Sequence, residues 1–146
     1  MKKKHYIYCD MDGVLADFDG QPNALERFRT EKGFFAGLFP IVKNLDALKI
    51  LIGRKNCKVR ILTASPNDQA DKDKLVWLEN YLPELDKRDI IICRVGQAKV
   101  NFMKTRKGTL LDDYGRNIRE WQTKKGNSSY QISECCSIAD LLDYFK

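Results

Sequence analysis

Short, unbroken apolar runs recur along this chain and set its framework. Tyr6 to Cys9, Val59 to Thr63 (VRILT), Ile90 to Cys93 (IIIC) and Thr109 to Leu111 (TLL) each give way abruptly to polar residues. Runs of that length without alternation predict strands covered on both faces. Between them the apolar positions switch to helical spacing. Leu45, Leu48, Leu51 and Ile52 follow a prospective cap at Asn44. Leu75, Leu78, Tyr81 and Leu82 mark a second helix that Pro83 ends, and Ile118 and Trp121 share the face of a third, closed by Gly126. The strand-like SYQIS then precedes a fourth helical stretch from Ser137 to Phe145.

Strands alternating with helices across short turns predict an α/β fold, a three-layer Rossmann-like parallel sheet with helices on both sides. Ligands of such sheets sit beyond the carboxyl ends of the strands. The polar residues obey that rule: Asp10 and Asp12 follow the first strand, Thr63 and Ser65 the second, Arg94 and Lys99 the third, Asp112 and Asp113 the fourth. Residues 19–44 break the alternation. Pro22 suits a first helical turn, with Leu25 and Phe28 on one side, and the aromatic-rich GFFAGLFP follows. This segment reads as a small helical cap inserted over the strand ends of a single domain spanning 1–146. Phe34, Phe35, Leu38 and Phe39 are too apolar for a free loop and cover either the core or a ligand.

Composition narrows the function classes. Apolar residues make up 43% of the 146 and charged ones 32%, a globular balance, and no apolar stretch reaches the length of a membrane span. MKKKHYIYCD lacks the apolar segment and cleavage site of a signal peptide, so a cytoplasmic location and no membrane partner are expected. Five cysteines without C-x-x-C spacing read as reduced thiols, with the neighbours Cys135 and Cys136 expected to be buried. The net charge of +6 favours anionic partners, phosphorylated small molecules and nucleic acid alike. With no RNA-binding signature, and no exposed aromatics interleaved with the lysines, nucleic acid is the less favoured of the two.

Four carboxylates, Asp10, Asp12, Asp112 and Asp113, meet if the two acidic strand ends are neighbours. Such a group repels itself, and a divalent cation relieves the repulsion. Hard oxygen ligands without His or Cys suit Mg2+. The single histidine, His5, precedes the first strand and reads as a surface residue. Thr63, Ser65 and Lys99 offer phosphate partners, which makes the ensemble a phosphoryl-transfer site with a carboxylate available as nucleophile.

CDMDGVLADF resembles the first motif of the haloacid-dehalogenase-like (HAD) phosphatases, ILTASP the second and TLLDDYGRNI the fourth, while Lys99 stands where the third-motif lysine falls. Within that superfamily, DMDGVLADF and the TxSP ending are most similar to the 5′(3′)-deoxyribonucleotidases. The resemblance implies that Asp10 attacks phosphorus and that Asp12 acts as acid and then base. It also implies that Mg2+ is held by the Asp10 and Asp113 carboxylates and the Asp12 carbonyl, with Asp112 behind them. Thr63 and the Ala64 N–H would bind phosphate, with Ser65 nearby, and Lys99 would neutralise it. Lys99 is preferred to Lys104 because it follows IIIC more closely. Phe18 would contact the nucleoside, and Phe35 either closes over the base or packs the cap.

The expected substrate is therefore a phosphate ester, foremost a nucleoside monophosphate. Two alternatives stay open: another ester, such as a phosphosugar or a nucleic-acid end, and a non-catalytic module that binds nucleic acid or a partner on the same fold. The insertion is shorter than the helical cap of mammalian-type deoxyribonucleotidases, and Ala64 stands where a serine often follows the motif threonine.

Overall fold

The computed structural model describes residues 2–146. Its centre is a five-stranded parallel sheet of β1 (His5–Cys9), β2 (Cys57–Ser65), β3 (Ile90–Arg94), β4 (Thr109–Asp112) and β5 (Ser128–Gln131), in the order β3-β2-β1-β4-β5. All four sequence-predicted strands are present, and SYQIS contributes the edge strand β5. His5 is the first residue of β1 rather than a flanking surface residue, half-buried and edge-on to Phe145 at 5.3 Å.

Side chains alternate across this sheet. Ile7, Cys9, Ile61 and Leu111 point into the larger core with Leu48 and Leu51 of α2 (Val42–Ile52) and Trp77 of α3 (Asp68–Tyr81). Tyr8, Leu62 and Leu110 face the other way and meet Trp121 of α4 (Gly115–Gln122). Both faces are covered, which explains why the central strands read as continuous apolar runs. The expected three-layer architecture is thus observed. Among the described residues no helix is long and apolar enough to cross a membrane.

Several local expectations change. Asn44 is not a cap: it lies inside α2, 5% exposed, where its amide donates to the Val14 carbonyl and accepts from the Ile138 N–H. Leu75 is on the exposed side of α3, and the buried side carries Ala70, Asp73, Lys74, Trp77 and Leu78. The last predicted helix is a 3-10 helix, Ala139–Phe145. Cys135 is exposed and Cys136 partly buried, because they sit in a turn closed by Ser133 rather than in the core.

Between β1 and α2 the chain holds one four-residue helix, α1 (Ala24–Arg27), and a 3-10 turn at Phe35–Gly37. Leu25 and Phe39 are exposed, whereas Phe34, Phe35 and Leu38 are buried. Three hydrogen bonds fasten this segment to α3 and its cap: Asn67 donates to the Arg29 carbonyl, the Gly33 N–H to Asp73, and the Trp77 indole to the Leu38 carbonyl.

Candidate functional site

The strand order reverses direction between β1 and β4, since the chain runs outward from β1 through β2 to β3 and then returns to β4. A crevice opens outside the carboxyl ends at such a point. Asp10 leaves β1 there, its N–H donating to the Leu111 carbonyl at 2.9 Å, and Asp112 and Asp113 leave β4 beside it. Carboxylate oxygens of Asp10, Asp112 and Asp113 all lie within 4.8 Å of one another.

Lys99 Nζ completes this group, 2.9 Å from Asp10 Oδ1 and 2.7 Å from Asp112 Oδ2. The Lys99 side chain is 2% exposed. Burial alone would lower its pKa, but the Asp10 and Asp112 charges outweigh burial and hold it above the ordinary lysine range. Asp112 is further fixed by the Tyr114 N–H at 3.0 Å and the Asn117 amide at 3.1 Å. Asp113 has no such cation. Burial, followed by repulsion from Asp10, pushes its carboxyl up to about 8; burial and Asp10 push Asp112 to about 6 against the pull of Lys99. One lysine therefore leaves a deficit of positive charge among three carboxylates, and the donor set of hard oxygens without His or Cys fits Mg2+. Gly13 makes room for Asp113: at φ 81 it adopts the left-handed region, and a Cβ there would collide with the Asp113 carboxylate.

The turn after Asp10 is tight, with the Met11 carbonyl accepting from Val14, Leu15 and Ala16. It swings the Asp12 side chain away from the three acids and toward α3. There Lys74 Nζ meets Asp12 Oδ2 at 2.6 Å, Thr63 Oγ1 at 2.7 Å and the Ala64 carbonyl at 2.7 Å, and lies 4.4 Å from the centre of the Phe35 ring. The second Asp12 oxygen, Oδ1, is buried without a hydrogen-bond partner. An orphaned acceptor costs ~1–3 kcal/mol, a penalty that native structures concentrate at working sites.

A cleft of about 330 Å3 opens from these groups, lined by Asp12, Gly13, Ala64 and Asp113 at its floor. Phe18, Phe28 and Phe35 form one wall, with Phe18 stacked near-parallel on Phe35 (21°, centroids 6.3 Å apart). Val95 and Tyr114, both substantially exposed, also line it.

The structure thus gathers Asp10, Asp12, Thr63, Ala64, Lys99, Asp112 and Asp113, with Phe18 and Phe35 beside them. Ser65 is a correction: it is fully buried and its hydroxyl donates to the Asn67 carbonyl, so it forms a turn instead of the cleft wall. Lys104, the competing lysine, is exposed and borders a different hollow with Lys58 and Arg60. Lys74 was missed by sequence reasoning. Its signal was there, since a lysine in register with Ala70, Trp77 and Leu78 occupies the buried face of its helix.

A family described as 5′ nucleotidase, deoxy (Pyrimidine), cytosolic type C protein matches residues 20–135, a span that includes Thr63, Lys74, Lys99 and both acids at the end of β4. A protein of Vibrio phage KVP40, described as a candidate 5′(3′)-deoxyribonucleotidase, is 26% identical over 123 residues, covering 78% of this chain and 69% of the phage protein. Among solved structures, a protein of Burkholderia xenovorans LB400 described as a candidate haloacid dehalogenase-like hydrolase superposes with a TM-score of 0.62 at 13% identity, covering 97% of this chain and 96% of that one. The Pnkp1/Rnl/Hen1 complex gives a TM-score of 0.64 at 18% identity over 89% of this chain, which spans only 46% of that chain. The HAD domain of the Legionella pneumophila effector Lem4 gives 0.55 at 15% identity, covering 98% and 93%. These structural likenesses concern the fold.

Proposed function

Taking as premise that the protein belongs to the cytosolic type C 5′-nucleotidase family of HAD-type phosphatases, we propose that it is a magnesium-dependent phosphomonoesterase acting on nucleoside monophosphates through a phosphorylated Asp10. The observation that carries this reading is the meeting, at one aromatic-walled cleft, of the Asp10–Lys99–Asp112–Asp113 cluster with the Asp12–Lys74–Thr63 cluster.

Mg2+ would be held by the Asp10 and Asp113 carboxylates and the Asp12 backbone carbonyl, where it supplies charge neutralisation for the phosphate and the attacking carboxylate. Asp112, bonded to Lys99, Tyr114 and Asn117, keeps that lysine aimed at Asp10. The remaining steps belong to the chain's own groups. An Asp10 oxygen attacks phosphorus and the ester P–O bond breaks. The departing oxygen takes the proton of the Asp12 carboxyl, leaving phosphate on Asp10 and a carboxylate on Asp12. Asp12 then accepts a proton from water as that water attacks the phosphoaspartate, releasing phosphate and restoring both acids.

Lys74 has three N–H donors and three acceptors, Asp12, Thr63 and the Ala64 carbonyl. A phosphate entering beside Thr63 offers Lys74 a fourth, and draws positive charge onto the transferring group. Thr63 accepts from Lys74, so its own hydroxyl proton is available to the phosphate. Phe18, stacked on Phe35, presents an aromatic wall to the nucleoside. Residues 19–44 act as a short cap within one HAD-type unit, fastened to α3 rather than swinging free of it.

The test is a phosphate-release screen over deoxy- and ribonucleoside monophosphates, sugar phosphates and phosphate-ended oligonucleotides, with and without Mg2+. Release from nucleoside monophosphates that stops on chelation agrees with the proposal. Preference for another ester would replace the substrate assignment, and no release from any ester together with no Mg2+ binding would leave a binding module.

A further inference from the structure

Each of the five strands is entered from consecutive cations. Lys2–Lys4 lead into β1, Arg54–Lys55 into β2, Lys87–Arg88 into β3, Arg106–Lys107 into β4 and Lys124–Lys125 into β5. The strands are all parallel, so these five basic stretches lie at one end of the sheet, opposite the acidic phosphatase cleft. We propose that this strand-start end is a binding face for the sugar–phosphate backbone of a nucleic acid, separate from the phosphatase site.

Charge at this end is largely uncompensated. Two shallow clefts lie there and share Lys4: one is lined by Lys2, Arg54, Lys55 and Lys146, the other by Lys3 and Lys107. No acidic residue appears among the described residues lining either, although the exposed Asp143 reaches Lys146 at 3.6 Å and Arg54 donates to the Leu142 and Phe145 carbonyls. At the β3 edge the charge is balanced, because Asp86 pairs with Arg88 at 3.0 Å and Asp89 with Lys58 at 2.8 Å. The free row therefore runs across β2, β1, β4 and β5. At ~4.8 Å between strands it spans about 14 Å, room for about four phosphates at ~3.4 Å each.

Helix dipoles do not account for the pattern. Arg54–Lys55 and Lys124–Lys125 follow α2 and α4 and complement their carbonyl ends, but Lys2–Lys4 and Arg106–Lys107 follow no α-helix. The exposed aromatic beside Phe145, whose ring packs on His5, is Tyr144, 64% exposed and resting on Tyr130 of β5 at 5.5 Å between ring centroids. It offers a base a stacking surface. A membrane-seeking face would instead carry a cluster of aliphatics for insertion; the last turn of α2 exposes a single one, Ile50, ahead of Arg54–Lys55, and Leu25 and Val95 stand at the phosphatase cleft. Five residues of β1 separate the two ends by about 17 Å, so a phosphate held here is not the one hydrolysed.

The experiment measures anisotropy of a labelled oligonucleotide that lacks terminal phosphates, so that the phosphatase site has no monoester to bind. Binding should weaken about a hundredfold between ~50 and ~200 mM salt, the dependence of about four released counterions. The double variant Lys3→Glu/Lys107→Glu should bind at least about tenfold more weakly while keeping its melting temperature and its turnover of a nucleoside monophosphate, whereas Asp10→Asn should bind as the parent does. No binding at low salt, unchanged affinity in the double variant, or equal affinity for polyglutamate or phosphatidylserine vesicles would each overturn the proposal. Phosphate release by the parent is read separately, so a failed nucleotidase assignment and a failed nucleic-acid face give different results.

Discussion

Lys74 Nζ lies 2.6 Å from Asp12 Oδ2 while standing 4.4 Å from the centre of the Phe35 ring, so one fully buried ammonium ties the second acid of the DMD motif to the aromatic wall of the cleft. It is the contact through which α3 reaches the site. Lys74→Met should lower kcat/KM for nucleoside monophosphates by about 10²–10³-fold, the cost of losing one preorganised donor to the transferring group. Lys74→Arg should not restore activity, because a planar fork does not fit three acceptors arranged about a point charge. Steady-state kinetics with a circular-dichroism check of folding decides this; near-parental activity in Lys74→Met would remove the lysine from the machinery.

Phe18 separates nucleotide recognition from packing. If its ring faces the nucleoside, Phe18→Ala should raise KM for a nucleoside monophosphate by about tenfold, the ~1–3 kcal/mol worth of one base–aromatic contact, and leave a small aryl phosphate ester nearly unaffected. Equal losses for both substrates would make Phe18 a packing residue of the Phe18–Phe28–Phe34 cluster.

The acid cluster predicts an unusual pH dependence. Asp113, pushed up to about 8, holds a proton in the folded protein at pH values where the unfolded chain has released it. For such a group the stabilisation is complete below about pH 4 and disappears as the pH rises through about 8. Asp112, pushed up to about 6, acts in the same sense over a lower range. His5 works in the opposite sense over a narrow window, since burial and Lys3 lower its pKa. In chelator-treated protein the melting temperature should therefore fall between about pH 4 and 8, the window between ordinary and raised carboxyl values. Saturating Mg2+ should flatten the fall, and Asp113→Asn should abolish most of it. A melting temperature that climbs with pH over this range in chelator would contradict the charge deficit inferred for the cluster.

Asn44 carries a structural prediction. Its amide bridges the Val14 carbonyl and the Ile138 N–H, joining the turn after the DMD motif to the C-terminal segment through α2. Asn44→Ala strands two buried backbone groups and should cost about 2–4 kcal/mol by denaturant unfolding. A cost under ~0.5 kcal/mol, typical of a surface site, would mean that the bridge is unimportant.

Sequence patterns carried the sheet and most of the site. Unbroken runs such as VRILT and IIIC mark strands covered on both faces, and parallel strands send all their exits to one end, which brings Asp10, Thr63, Lys99 and Asp113 together. What escaped were choices made by tertiary contacts. Asn44 looks like a helix cap because Asn competes for exposed N–H groups in isolation, yet here two buried backbone partners from elsewhere in the chain hold it inside α2. Ser65 looks like a phosphate ligand by its position after the strand, but the turn into α3 takes its hydroxyl. Lys74 gives no signal by residue type, because a lysine on a helix is ordinarily solvated. Only its register with Ala70 and Trp77 betrays that it is buried, and only the fold supplies the Asp12 and Thr63 oxygens that make burial tolerable.

The central claim is that Asp10 becomes covalently phosphorylated. Its most direct test is to quench the protein during turnover of a nucleoside monophosphate with Mg2+, reduce with borohydride, which converts an acyl phosphate to the alcohol, and map the peptides by mass spectrometry. The account predicts conversion of Asp10 alone, dependent on substrate and metal and absent in Asp10→Asn, which should also be inactive. Turnover with no converted residue, or with the label on another carboxylate, would contradict it.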